Sequence, residues 1–310
     1  MNRKDLLGLK DLGTHEITTI LDTAQQIKKL FSVNAQKTAS LAGKNITTIF
    51  YENSTRTRMS FDSASAFLGA NSAYISASAS SVSKGETLVD TAKNLDAMMP
   101  DAIIIRHPMA GAPKILARNV RASVINAGDG TNEHPTQALL DIFTMREKFG
   151  RIKGLKVTMC GDIKFSRVAR SNIWGLKTLG ASVTVCAPKT LLPKGIERFG
   201  VKVECDPDKA IAGADVVMGL RIQAERQSGG MFPSTAEYAK YFGVTANRML
   251  KAEKNALVMH PGPANRGVEM TSEVIDSGAS VILDQVTNGV AVRMAILQIL
   301  IGNNSGRNKQ

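Results

Sequence analysis

Cysteine and aromatic residues are scarce in this chain, and each shortage excludes a class of protein. The three cysteines, Cys160, Cys186 and Cys205, are odd in number and far apart, which argues against a disulfide framework and a metal site. Each lies in or beside an apolar run, so we expect buried free thiols. Aromatic residues make up only 5% of the chain and its basic residues are scattered. The net charge of +12 therefore fits a small anionic substrate better than a nucleic acid.

Signatures of several enzyme classes and of export are also missing. No G-x-G-x-x-G follows the apolar run at 155–160, which leaves a nicotinamide enzyme poorly supported. The sequence contains no nucleophile elbow, no P-loop and no His/Cys cluster with metal spacing. Residues 1–13 lack the apolar part of a secretory leader, and no apolar run approaches membrane-spanning length. We therefore expect a cytoplasmic protein that does not associate with membranes.

Short β-like runs alternate with amphipathic helical runs along the chain, which predicts an α/β fold with parallel sheets. Strands are predicted at 45–51, 73–76, 101–105, 123–127, 155–160, 182–187, 201–205, 215–220, 256–260 and 280–283. Helices are predicted after Thr14 and near 55–68, 87–99, 135–149, 166–179, 237–242 and 285–301. The charged, glycine-bearing stretch 147–154 is the best domain boundary, since each half is then long enough for its own core.

Unusual polar residues follow six of the predicted strands, at the point where each strand ends. Ligands of open parallel sheets bind beyond the carboxyl ends of the strands, so this placement predicts a site for an anionic ligand. The residues concerned are Ser54 to Arg58, Arg106 with His107, Gly128-Asp129-Gly130 through His134 to Gln137, Gly161-Asp162 through Ser166 and Arg167, Arg221 with Gln223, and His260 to Pro263.

The segment 54–58 carries the strongest single signal. It leads from a predicted strand into a predicted helix, whose first turn offers backbone N–H groups and the positive end of the helix dipole. The hydroxyls of Ser54, Thr55 and Thr57 add neutral donors there. The guanidinium of Arg56 adds a fork that suits phosphate oxygens.

Each polar position also has a purely structural interpretation. The segment 54–58 fits a polar helix cap followed by a solvated arginine face. His134 fits the start of a helix, because Pro135 suits the first helical position. The remaining alternatives are a capping role for Asp162, helix-stabilising or arginine-orienting roles for Glu86 and Asp141, and an ion-paired structural role for Arg293.

The motifs taken together resemble those of a known family. The runs 54–58 (Ser-Thr-Arg-Thr-Arg), 84–87 (Lys-Gly-Glu-Thr) and 134–141 (His-Pro-Thr-Gln-Ala-Leu-Leu-Asp) are similar to motifs of the carbamoyltransferases. The runs 161–172, 221–223 and 260–269 narrow the resemblance to aspartate carbamoyltransferase catalytic chains, in order and over essentially the full length. Ornithine carbamoyltransferases typically carry His-Cys-Leu-Pro where this chain has His-Pro-Gly-Pro at 260–263, and they lack the run Ser-Arg-Val-Ala-Arg-Ser-Asn at 166–172.

The resemblance implies transfer of the carbamoyl group from carbamoyl phosphate to the α-amine of L-aspartate, with no cofactor and no metal. It implies that Ser54, Thr55, Arg56 and Thr57 bind the phosphate and that Arg106 bridges the phosphate and the carbonyl group. It also implies that His134 and Thr57 polarise the carbonyl oxygen. The carbamoyl NH₂ would donate to Gln137 and to backbone carbonyls near Pro261, Gly262 and Pro263, and the aspartate carboxylates would bind Arg167, Arg221 and Gln223.

The resemblance also implies a homotrimer with shared active sites. Ser80 and Lys84 lie in a serine- and glycine-rich loop whose default interpretation is a flexible surface loop. The matching loop of the family reaches a neighbouring subunit's active site, which would place Lys84 near aspartate. Within the loop, Ser81 or Ser83 remains an alternative to Ser80.

We expect two α/β domains, each a mainly parallel sheet flanked by helices, with the active site in the cleft between them. The carbamoyl-phosphate domain would span 1–148, with a C-terminal helix within 285–310 packing back on it, and the aspartate domain would span 149–284. An acceptor other than aspartate, such as ornithine, and a basic nucleic-acid-binding module are the alternatives. Regulatory chains, a dihydroorotase partner and nucleotide control stay open.

Overall fold

The computed structural model describes residues 3–34, 38–76, 85–223, 231–232 and 234–302, and the chain divides into two compact units. The first unit comprises Met1–Leu139 and Thr287–Gln310, and the second comprises Leu140–Val286. Each has its own parallel sheet with helices around it, which confirms the α/β class predicted from the alternation of strands and helices.

The sheet of the first unit has four parallel strands in the order β2-β1-β3-β4. They are β1 (Asn45–Phe50), β2 (Asn71–Ser76), β3 (Ala102–His107) and β4 (Ser123–Asp129). Its helices are α1 (Thr14–Asn34), α2 (Thr55–Phe67), α3 (Leu88–Ala97) and α4 (Ala112–Ala117), with α5 (Pro135–Phe149) beginning after β4. The apolar residues of β3 are buried throughout, as expected of a central strand covered on both faces.

The sheet of the second unit has five parallel strands in the order β7-β6-β5-β8-β9. They are β5 (Lys156–Gly161), β6 (Ser182–Cys186), β7 (Lys202–Glu204), β8 (Val216–Leu220) and β9 (Leu257–Met259). Its helices are α6 (Arg167–Thr178), α7 (Pro207–Ile211), α8 (Thr235–Phe242), α9 (Ala246–Met249) and α10 (Ser272–Ile275). The last helix, α11 (Ile282–Leu297), continues as a π-helical turn over Gln298–Gly302.

The predicted strand at 280–283 is wrong. Ser280 makes only an isolated bridge to Val258, and α11 already begins at Ile282. A short apolar run does not separate a strand from the first turn of a buried helix, so the pattern was ambiguous there. The short helices α4, α7, α9 and α10 were not predicted, because four to six residues are too few to show helical periodicity.

The last helix contradicts the expectation that no apolar run approaches membrane-spanning length. The stretch Ile282–Gly302 is long and apolar enough to cross a membrane by length and composition alone, with a mean hydropathy of 1.3 in its best window. Two-thirds of that window (67%) is buried within the protein, which is typical of a helix that forms part of a core.

The three cysteines are free thiols, two buried and one, Cys205, half-buried. Cys160 and Cys186 are register partners on β5 and β6. Their mutual hydrogen bond, followed by burial, raises the pKa of the Cys186 thiol. Cys186 is therefore a poor nucleophile at neutral pH, and both cysteines are buried and serve as small core residues.

We expect Gly161→Ala to destabilise the second unit, because Gly161, the last residue of β5, is paired with Leu220, the last residue of β8. A Cβ there would lie 2.1 Å from the Leu220 carbonyl oxygen, and the glycine has a φ of +138°. The loss in free energy of unfolding should be about 3 kcal/mol or more. The matched control is Gly150→Ala, where φ is +72° and nothing lies within 4 Å, so only about 1 kcal/mol should be lost. Urea unfolding of the two variants measures the difference, and equal losses would contradict this account.

Candidate functional site

The loops that follow β1, β3 and β4 lie at one edge of the first sheet. β1 and β3 are direct neighbours, with Phe50 opposite Arg106, and β3 pairs with β4. The strands are parallel, so their carboxyl ends coincide. The structure thus gathers three groups that the sequence singled out, the segment 54–58, Arg106 and His134.

Ser54 stands at the N-cap position of α2, but its hydroxyl makes no capping hydrogen bond. The first intrahelical bond runs from the Arg58 N–H to the Ser54 carbonyl. The proposed structural role for the Ser54 hydroxyl is therefore not realised. The first-turn N–H groups of an α-helix have no intrahelical partners and lie at the positive end of its dipole, which suits an anion. Arg56 is exposed at this turn, while Thr57 is buried.

Arg58, the second arginine of the segment, contacts an aromatic ring and a carboxylate. The guanidinium carbon of Arg58 lies 3.5 Å from the centroid of the Tyr74 ring, and its Nε lies 3.5 Å from the Asp62 carboxylate. Stacking on an aromatic ring and an ion pair one helical turn away are structural contacts. Arg58 therefore has a structural role at this turn.

Arg106, the penultimate residue of β3, is held by two groups of its own unit. Its Nε lies 3.3 Å from the Glu52 carboxylate, and its Nη1 donates to the Ala127 carbonyl at 3.4 Å. The two contacts fix the guanidinium at the strand ends. Sequence reasoning missed Glu52, although its position two residues beyond β1 was the available signal.

His134 combines a structural and a potential chemical role. Its carbonyl accepts from the N–H groups of Gln137 and Ala138, so the predicted position at the start of α5 is realised by the backbone. Its ring is buried, with Nδ1 3.5 Å from the Thr136 hydroxyl. Gln137 is likewise buried at the first turn of the same helix. The backbone of His134 fulfils the role at the start of the helix. Its imidazole can act separately as a hydrogen-bond donor.

A buried carboxylate at the end of β4, within the polar run 128–137, organises the loop before His134. Asp129 accepts hydrogen bonds from the Gly111 N–H at 2.7 Å, the Asn126 side chain at 2.8 Å and the Glu133 N–H at 3.1 Å. Gly130 follows with φ +50°, and a Cβ there would lie 2.8 Å from the Pro108 carbonyl oxygen. The loop geometry thus depends on Asp129 and on a glycine.

The second unit shows the same arrangement around β5, β8 and β9. Gly161 pairs with Leu220 and Met218 pairs with Met259, so three loops leave one edge of the sheet side by side. They carry the predicted residues Arg167, Arg221 with Gln223, and Gly262 with Pro263.

Asp162 joins two of these loops instead of capping a helix. One carboxylate oxygen accepts from the Phe165 N–H at 2.9 Å, and the other accepts from the Gln223 N–H at 3.1 Å. The Arg221 Nη2 donates to the Gln223 side-chain oxygen at 3.1 Å, so the two predicted residues are in direct contact. A guanidinium beside an amide whose backbone is held by Asp162 is an arrangement that can bind a carboxylate.

Arg167 is the first residue of α6 and is buried. The preceding residue, Ser166, caps the helix, and its hydroxyl accepts from the Ala169 N–H at 3.1 Å. Gly262 is half-buried and Pro263 is exposed. Ser80 and Lys84, together with the alternatives Ser81 and Ser83, lie outside the described residues.

Comparison with known proteins decides the family. A family model described as "Aspartate/ornithine carbamoyltransferase, carbamoyl-P binding domain" matches residues 4–147, and its "Asp/Orn binding domain" counterpart matches residues 153–300. The chain is 59% identical, over 306 residues, to the aspartate carbamoyltransferase catalytic subunit of Acetivibrio thermocellus, covering 99% of this chain and 98% of that protein. The chain belongs to the aspartate/ornithine carbamoyltransferase family.

Other members of the family agree in sequence and in fold. The catalytic subunit of Caldanaerobacter subterraneus is 56% identical, with 97% of this chain and 98% of that protein covered. The M. jannaschii aspartate transcarbamoylase catalytic subunit superposes with a TM-score of 0.86 at 35% identity, covering 98% and 100% of the two chains. Ornithine carbamoyltransferase from Pyrococcus furiosus also reaches 0.86, at 34% identity and 97% coverage of both chains. The fold alone therefore does not separate aspartate from ornithine as acceptor.

We expect His107, at the end of β3, to make the stability of the protein sensitive to acid. Burial lowers the pKa of its ring, and its Nδ1 accepts from the Met109 N–H at 3.0 Å. Below the ordinary histidine pKa of about 6.5 the unfolded chain binds the extra proton first, so the free energy of unfolding falls as the pH falls toward the lower folded pKa.

The measurement is urea unfolding at about pH 7.5 and about pH 5.5. His107→Gln should reduce the loss of stability between the two pH values. His15→Gln, at an exposed helix position, should leave that loss unchanged. An identical pH dependence in wild type and His107→Gln would contradict the assignment.

Proposed function

We propose that this protein transfers the carbamoyl group of carbamoyl phosphate to the α-amine of L-aspartate, giving N-carbamoyl-L-aspartate and phosphate. The observation that carries the proposal is full-length identity of 51–59% to eight proteins named aspartate carbamoyltransferase catalytic subunit. The reaction makes one C–N bond and breaks the bond from the carbonyl carbon to the phosphate oxygen. The amine is itself the nucleophile, so the chemistry requires no covalent enzyme intermediate.

The phosphate would bind at the start of α2. Ser54, Thr55, Arg56 and Thr57 would supply hydroxyl, guanidinium and backbone donors there, as the helix terminus and the absence of a capping bond from Ser54 favour. Arg106, held by Glu52 and the Ala127 carbonyl, would bridge the phosphate and the carbonyl group. Charge on the leaving phosphate would then be stabilised by groups already in place.

The carbamoyl group would be polarised and oriented by separate sets of atoms. His134 and Thr57 would donate to the carbonyl oxygen, where negative charge develops in the transition state. The amide N–H groups need acceptors, which Gln137 and the backbone carbonyls around Gly262 and Pro263 would provide. A carbonyl accepts these hydrogen bonds without adding charge.

The two carboxylates of aspartate would bind Arg167, Arg221 and Gln223. The direct contact of Arg221 with Gln223 and the anchor from Asp162 support a preformed site. Lys84 would complete it. In this proposal residues 1–148 with the helix within 285–310 bind carbamoyl phosphate, and residues 149–284 bind aspartate. Positioning the amine close to the carbonyl carbon contributes to the rate by itself.

The proposal extends to assembly and cellular role. The active protein would be a cytoplasmic homotrimer in which Ser80 and Lys84 enter the site of a neighbouring subunit. It would serve de novo pyrimidine (UMP) biosynthesis. Ornithine as acceptor is the second candidate, because the ornithine carbamoyltransferases of Pyrococcus furiosus and Thermus thermophilus share the fold with TM-scores of 0.86 and 0.87.

A product assay separates the two acceptors. The purified protein is incubated with carbamoyl phosphate and either L-aspartate or L-ornithine, and phosphate release and carbamoylated product are measured. We expect turnover with aspartate and a kcat/KM for ornithine lower by at least about 10⁴-fold, because a site built for two carboxylates leaves charged groups unpaired with ornithine. Turnover with ornithine but not aspartate would refute the proposal.

Arg56→Ala tests the phosphate assignment. We expect kcat/KM to fall by about 10²- to 10³-fold, the scale of a lost transition-state donor, with normal folding because the side chain is exposed. Arg58→Ala is the matched control on the same helix. It should keep activity within about tenfold, since Arg58 contacts Tyr74 and Asp62. If Arg56→Ala retained wild-type activity, the phosphate site would lie elsewhere.

A further inference from the structure

The loop after β9, residues 260–265, is tied down by buried side chains that have no role in the proposed chemistry. Glu269 and His260 are each 1% exposed. In the sequence they flank residues 261–263, whose backbone carbonyls would accept from the carbamoyl amide.

Glu269 holds the far end of the loop and the histidine with one oxygen. Its Oε1 accepts from the Asn265 N–H at 2.6 Å and lies 3.1 Å from His260 Nε2. On the other side of the ring, His260 Nδ1 accepts from the Gly262 N–H at 2.8 Å. A nitrogen that accepts carries no proton, so the proton of the neutral ring is on Nε2 and is donated to Glu269. The two contacts therefore fix both the ring and the backbone at Gly262.

The same chain of hydrogen bonds continues to α6. The His260 N–H donates to the Gln285 side-chain oxygen at 3.0 Å, and Gln285 donates to Asp141 at 2.7 Å. The other oxygen of Asp141 accepts from the Asn172 side chain at 2.8 Å. Asn172 lies on the helix whose first residue is Arg167. One buried series of contacts thus holds the 260–265 loop and the helix that carries an aspartate-binding arginine.

Stability alone is a poor explanation for Glu269. Its second oxygen, Oε2, is buried and has no hydrogen-bond partner among the residues that the structure describes. Leaving a buried carboxylate oxygen without a hydrogen-bond partner is unfavourable for folding. The favourable contacts of Glu269 are directed at the loop backbone and at the histidine that binds it.

We propose that His260 and Glu269 are positioning residues that orient the carbonyls of 261–263 toward the carbamoyl NH₂ and so make the site selective for a carbamoyl group. This inference rests on the proposed function. Acetyl phosphate is the matched probe, because it presents a methyl group where carbamoyl phosphate has NH₂ and keeps the phosphate and the carbonyl. If the carbonyls of 261–263 are no longer oriented as acceptors, carbamoyl phosphate should bind more weakly and the binding of acetyl phosphate should not change.

Three variants separate the contacts. His260→Gln retains a donor for Glu269 but loses the acceptor for the Gly262 N–H. Glu269→Ala loses the bonds to His260 and Asn265. Glu269→Gln is the conservative variant, because its side-chain oxygen still accepts from both. Dissociation constants for carbamoyl phosphate and acetyl phosphate are measured by calorimetry, with circular dichroism to verify folding.

We expect His260→Gln and Glu269→Ala to raise the dissociation constant for carbamoyl phosphate about tenfold. The dissociation constant for acetyl phosphate should change by less than about twofold. Glu269→Gln should restore the preference. An equal loss for both ligands, or an unchanged preference in His260→Gln, would overturn the proposal. If Glu269→Ala does not fold, His260→Gln still tests the proposal, because it removes a contact that orients the same carbonyls.

The outcome is separable from a failure of the proposed function. If the wild-type protein does not bind carbamoyl phosphate, or binds it no better than acetyl phosphate, the proposed function or its amide recognition fails before any variant is compared. If the wild type discriminates and the variants discriminate equally, only the role of His260 and Glu269 is refuted.

Discussion

Parallel pairing of the central strands is the constraint on which the rest of the structure depends. All strands of a parallel sheet end at the same edge, so residues far apart in sequence meet there without further devices. In the first unit this brings the start of α2, Arg106 and His134 to the ends of β1, β3 and β4. In the second unit it brings Asp162, Arg221 and the 260–265 loop to the ends of β5, β8 and β9. Each loop then needs only local contacts to orient its side chains.

Those local contacts are mainly buried carboxylates that accept from backbone N–H groups. Asp129 orders the loop before His134, Asp162 joins the loops after β5 and β8, and Glu269 holds the loop after β9. A carboxylate has several acceptor sites and binds N–H donors more strongly than a neutral group does. The residues that we propose to bind ligands are therefore supported by a set of residues that need not touch the ligand.

The sequence was informative where a signal is local or periodic. The alternation of apolar runs predicted the strands to within a few residues, and α5 was predicted with its observed ends, 135–149. The polar residues at strand ends were found because their positions are unusual. The roles of Glu52, Asp129 and Glu269 were not predicted, because the sequence does not show which groups a carboxylate in a loop will contact in the folded chain. The strand expected at 280–283 failed for a similar reason, since only the tertiary structure distinguishes a strand from the first turn of α11.

The central claim is that a new bond forms between the carbamoyl carbon and the nitrogen of aspartate. The most direct measurement is ¹³C NMR of a reaction containing ¹³C-labelled carbamoyl phosphate, ¹⁵N-labelled L-aspartate and an equal amount of ¹⁵N-labelled L-ornithine. The account predicts one enzyme-dependent ¹³C resonance, split by one-bond coupling to ¹⁵N, that matches N-carbamoyl-L-aspartate. A coupled resonance that matches citrulline, or decomposition of carbamoyl phosphate at the rate seen without protein, would contradict it.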